Sequence, residues 1–151
     1  MHGGPAMTLR EVMEAEEPTP ARRKKPIYVG APACFALEQC CQHINDAFKT
    51  DGPGYTGGCY LVGSALERQD WRDIDVRYIM PDEQFAQMFP HCGAEGHWES
   101  DPRWLLLIVS ISGWLCSATG LPIDFQIQPQ THANERHKGQ RSALGLRIAS
   151  K

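Results

Sequence analysis

Gly63-Ser64, followed after residues 65–72 by Asp73-Ile74-Asp75, are the residues in this chain whose types and spacing can do chemistry. Leu61-Val62-Gly63-Ser64 reads as an apolar strand, over Cys59–Val62, closing on a turn, and Ile74–Met80 as a second strand ended by Pro81. Side chains alternate across a strand, so Asp73 and Asp75 point to the same face. Two carboxylates side by side repel each other, and a fold accepts that cost most readily when a cation sits between them. Gly-Ser at the end of the preceding strand supplies backbone N–H groups, and room for close approach, to a phosphate. Together these residues imply a metal–nucleotide site.

A third carboxylate strengthens this reading. After Pro122, Ile123-Asp124-Phe125-Gln126-Ile127-Gln128 alternates cleanly, with Ile123, Phe125 and Ile127 facing one way and Asp124, Gln126 and Gln128 the other. A strand order that sets this polar face beside Asp73 and Asp75 would complete a three-carboxylate cluster. Three carboxylates and substrate phosphate oxygens can serve two Mg²⁺ ions.

The elements that must position these residues follow from periodicity. Leu37, Cys41, Ile44 and Phe48 form one apolar stripe on a helix beginning near Pro32. The glycine-rich stretch 51–58 is a loop, and it lacks the Gly-Lys-Ser/Thr of a Walker A motif. Residues 65–68 can begin a short helix, Asp82–Phe89 reads as another, and Pro90–Ser100 as a loop. Asp101-Pro102 is a capping side chain followed by proline at the first helical position, and Gly120 is a natural stop. Apolar residues cover most of that helix, which predicts packing against a sheet, with Trp104 and Trp114 in the core. The fold class expected is α/β (α+β): a small mixed sheet of three or more strands with helices packed on one face.

Three segments result: a weakly ordered stretch over 1–31 with a short helix at 8–17, a core over 32–128, and a basic tail over 129–151. The block Arg22-Arg23-Lys24-Lys25 reads as a solvated linker. The tail carries Arg136, Lys138, Arg141, Arg147 and Lys151 against Glu135. It is either a solubilising tail or a flap that grips phosphate or a polynucleotide.

Composition narrows the function classes. A chain of 151 residues is one domain's worth, and 42% hydrophobic with 22% charged residues is ordinary for a globular protein. A net charge of −3 argues against a strongly basic nucleic-acid binder. The longest apolar run, Trp104 to Leu115, is too short to span a bilayer, and no apolar leader opens the chain, so no membrane and a cytoplasmic location are expected. The six cysteines contain no C-x-x-C, and His91, Cys92 and His97 match no zinc spacing, so reduced, mostly buried thiols are the better reading.

Gly-Ser, a spacer, Asp-x-Asp between apolar residues and a later lone Asp in an apolar strand resemble the nucleotidyltransferase superfamily, the polymerase-β-like fold. The resemblance covers roughly residues 32–128 in element order, at a size similar to the minimal nucleotidyltransferases. It implies that Gly63 and Ser64 hold the β- and γ-phosphates of an NTP. It also implies that Asp73, Asp75 and Asp124 bind Mg²⁺ (or Mn²⁺), with Asp124 as candidate base, and that a nucleoside monophosphate passes to an acceptor hydroxyl on protein, RNA or a small molecule. Arg72 stands where the family commonly has a small polar residue. Larger members add a helical domain after the core, where this sequence has only 129–151. Hence a partner-dependent or non-catalytic module, half of a two-component system, is the alternative, with a protein partner or a homodimer. A nucleic-acid-binding regulator using the basic segments is another.

Overall fold

Helix α1, Ala33–Phe48, forms where the apolar stripe demands it, and Leu37, Cys40, Cys41 and Ile44 are its buried residues. The computed structural model describes residues 29–63, 73–92 and 97–146. The expected helix at 8–17, the basic block at 22–25, Ser64, the helix start at 65–68, Arg72, Arg147 and Lys151 lie outside them.

Four strands make one mixed sheet: β1 Gly58–Val62, β2 Ile74–Met80, β3 Ile123–Pro129 and β4 Ser142–Leu144. The order is β3-β2-β1-β4, with β1 antiparallel to both β2 and β4, and β2 parallel to β3. A parallel pair needs a crossover. It is supplied by α2 (Asp82–Met88), a 3₁₀ turn (Trp98–Ser100) and α3 (Pro102–Thr119). The 3₁₀ turn lies inside the segment expected as loop.

Asp101 caps α3 as its sequence predicts: its carboxylate accepts the Arg103 N–H at 2.8 Å, and Gly120 closes the helix in the left-handed region. Helices α1 and α3 cover one face of the sheet, over Ile74, Val76, Tyr78, Met80, Ile123, Phe125 and Ile127. The Trp104 indole N–H donates to the Ile127 carbonyl at 2.8 Å, which fixes the side of α3 that faces β3. Trp114, expected in the core, is 44% exposed instead. In so uniformly apolar a helix the periodicity does not say which aromatic turns inward, and the hydrogen bond to β3 decides. Leu106 and Val109 share the outward side, at 69% and 60% exposure.

The division at 128 does not hold. Residues 129–146, expected within a basic tail, fold into α4 (Gln130–Arg136) and β4, which pairs with β1. The Asn45 side chain on α1 ties the two strands together, accepting the Cys59 N–H at 2.9 Å and donating to the Leu144 carbonyl at 2.9 Å. Gly145 leaves β4 with φ +74, and a Cβ there would lie 2.5 Å from α1 backbone atoms of Cys41 and Gln42. A three-residue strand and a seven-residue helix are too short for periodicity to show. No disulfide joins the described cysteines, and Cys40, Cys41 and Cys59 are buried. No described helix is long and apolar enough to cross a membrane.

Candidate functional site

The face of the sheet away from α1 and α3 carries Asp75 and Arg77 of β2 and Asp124, Gln126 and Gln128 of β3. Asp75 is central on it. It pairs in register with Val62 on β1 and with Asp124 on β3, so the two strand carboxylates stand directly opposite each other. Gly63, one residue beyond Val62, has φ +83, and a Cβ on it would lie 2.5 Å from Asp75 Oδ2. The conformation favours glycine there, and any Cβ would have to push the Asp75 carboxylate aside.

Arg77, two residues after Asp75 on the same face, is 8% exposed. Its Nη1 donates to the backbone carbonyls of Asp124 (2.8 Å) and Val76 (3.1 Å). Its Nη2 lies 3.4 Å from Asp124 Oδ2 and 3.8 Å from Asp75 Oδ1. The guanidinium therefore neutralises part of the carboxylate pair from below. Burial raises the Asp75 carboxyl above its ordinary range, Arg77 opposes that, and Asp124 and Asp73 add to it. Asp73 itself is exposed and immediately precedes β2.

Helix α4 and the turn after it lean over this face. Asp82 at the start of α2 holds the α4 N-terminus, accepting the Thr131 N–H at 3.0 Å and bonding the Thr131 hydroxyl. His132 stands edge-on to the buried Trp98, centroids 4.5 Å apart, and burial followed by Arg136 lowers its pKa while Glu135 opposes. His137 Nε2 is 3.1 Å from Gln128 Oε1. Gln128 Nε2 donates in turn to Gln126 Oε1 at 3.2 Å, so the imidazole N–H is the donor to Gln128. Burial and the nearby Arg77, Arg136, Arg141 and His132 push His137 down to about 4. Between α4 and the strands lies an open cavity of about 390 Å³, bounded by Gly63, Asp75, Arg77, His132, Arg136 and His137.

Of the residues singled out by sequence, Gly63, Asp75 and Asp124 come together, Asp73 stands exposed at the edge, and Ser64 lies outside the described residues. Among the described residues no three of His, Cys, Asp and Glu are grouped so as to hold a metal ion. The donor chemistry nonetheless fits Mg²⁺, which binds through one or two carboxylates and takes its remaining oxygens from water and substrate. Asp75, destabilised as an anion by burial, and Asp124, with a half-exposed side chain, offer those two.

Arg77, His132 and His137 are contributions that strand and motif reasoning passed over. For Arg77 a signal existed, since period two places it on the face of Asp75. The histidines sit in the segment read as a tail, where only folding brings them over the sheet. Comparisons with known protein families, with characterised proteins and with solved structures return no match.

Proposed function

We propose that the chain is a Mg²⁺-dependent nucleotidyltransferase that moves a nucleoside monophosphate from an NTP to an acceptor hydroxyl. One observation carries this reading: Asp75 and Asp124 face each other across β2 and β3 with side-chain-free Gly63 against Asp75. Asp75 and Asp124 would hold the ion, with Asp73 as a further ligand at the exposed edge. When bound, Mg²⁺ offsets the charge of the triphosphate and lowers the pKa of the acceptor hydroxyl. Gly63 leaves its backbone open to the phosphates beside Asp75. Asp124 accepts the hydroxyl proton as that oxygen attacks the α-phosphorus. The new O–P bond forms while the bond to the β-phosphate oxygen breaks, and pyrophosphate leaves. Arg77 keeps the two carboxylates in register and tempers their repulsion. Cysteines outside disulfides and dependence on NTP fit the cytoplasm.

The test is incubation with each labelled NTP, Mg²⁺ or Mn²⁺, and protein, RNA and small-molecule acceptors. Label appears on an acceptor if the proposal holds. No transfer with any pair, together with no metal-dependent NTP binding, refutes it. The outward apolar side of α3, with Leu106 and Val109, favours a second reading in which the same site works only within a complex with a protein partner or a second copy. Activity restored by a co-purifying chain supports that version.

A further inference from the structure

Arg77 of β2, Arg136 at the end of α4 and His137 line one end of the cavity, and Arg141, just before β4, adds its charge to theirs at His137. Arg77 is drawn toward Asp75 and Asp124, and Glu135 acts on His132. Arg141 Nη2 donates to the Asn134 side chain at 3.0 Å, and its guanidinium lies 5.0 Å from the Tyr60 ring centroid. Two donors remain: Arg77 Nε and Arg141 Nη1 are buried with no hydrogen-bond partner among the described residues. Gathered cations and orphaned N–H groups both raise the free energy of the fold, and an anion relieves both.

The place of that anion begins at Arg77, which touches Asp75 and Asp124, and extends from there toward His137, away from the carboxylate end of the site. Gly63 follows Val62, which pairs with Asp75, whereas Gln128, which receives the His137 N–H, pairs with Ile79. Four residues of strand separate the two levels, roughly 13 Å at strand rise.

We propose that the arginine- and histidine-walled end of the cavity is a subsite for a phosphate monoester carried by the acceptor. Calling the bound molecule an acceptor rests on the transferase reading above, while the anion chemistry rests on the arginines alone. Arginine forks match phosphate oxygens in pairs. Bound phosphate would also favour the imidazolium form of His137, reversing the combined push of burial, the three arginines and His132.

The test titrates the full chain with inorganic phosphate without metal, following heat and the imidazole resonances of His137. Phosphate is expected to bind, to raise the His137 pKa, and to bind about tenfold more weakly to Arg136→Gln, a change at an exposed position. It is also expected to bind undiminished in the presence of Mn²⁺ and a non-hydrolysable ATP analogue. No phosphate binding overturns the proposal. Competition between phosphate and the analogue also overturns it, because the nucleotide's own phosphates would then occupy the wall. Phosphate binding with no metal-dependent nucleotide binding keeps the anion site and removes the acceptor assignment together with the transferase reading.

Discussion

Gly63 lies so close to Asp75 that a side chain on the first would have to displace the carboxylate of the second. With φ +83 at Gly63 and a virtual Cβ 2.5 Å from Asp75 Oδ2, the glycine is fixed by the carboxylate opposite it. Gly63→Ala is therefore expected to cost about 1–2 kcal/mol in stability from the left-handed backbone alone. It should also displace the Asp75 carboxylate and weaken metal-dependent nucleotide binding. Urea unfolding and nucleotide titration with Mn²⁺ check the two effects separately.

Asp75→Asn separates function from folding. The Asp75 carboxyl sits above its ordinary range through burial, Asp124 and Asp73, against Arg77. Between the unfolded pKa and that raised value the native state binds the extra proton, so this group's contribution falls as pH rises through the window. The variant should lack that fall, should be no less stable than wild type at neutral pH, and should lose metal-dependent nucleotide binding. Urea midpoints compared between acidic and neutral pH measure the first effect.

His137 gives the opposite slope. Its folded value of about 4 lies below the ordinary 6.5, so the unfolded chain takes up a proton before the native state does. The stability tied to neutral His137 is fully present above the ordinary value and is lost as pH falls from about 6.5 toward about 4. His137→Gln should flatten the acid side of the stability profile, as thermal melts across that range would show.

Gly145→Ala is expected to be more severe than Gly63→Ala. The obstacle is the α1 backbone at Cys41 and Gln42, which has no soft side-chain end to move aside. A loss of about 2 kcal/mol or more is expected. Amide exchange should quicken first in β4 and along the β1 edge.

Leu106→Lys tests the outward side of α3. At 69% exposure the change should alter monomer stability by no more than about 0.5 kcal/mol. If a partner covers that side, the same variant abolishes the complex, which size-exclusion chromatography with light scattering would register.

The sequence was most informative where a strong period coincided with a capping signal. The strand at Ile74–Met80, the alternation of Ile123 to Gln128 and the Asp101-Pro102 start of α3 are all read from local chemistry and all present. The apposition of Asp75 and Asp124 required strand order, which periodicity does not contain, although a polar face on each strand hinted at it. Trp114 misled because a helix apolar on every side has no preferred direction. His132 of α4 and His137 just after it were hidden because seven residues make less than two full periods of a helix. Arg77 was hidden by neighbours that already explained the strand.

β4 is only Ser142–Leu144, yet it occupies the outer edge of β1. Without it the main-chain groups of β1 that face β4 would form a bare edge ready to recruit another chain. A protein cut after residue 128 would thus be expected to form fibres or swapped dimers. The segment that resembles a dispensable extension is what keeps the sheet from polymerising.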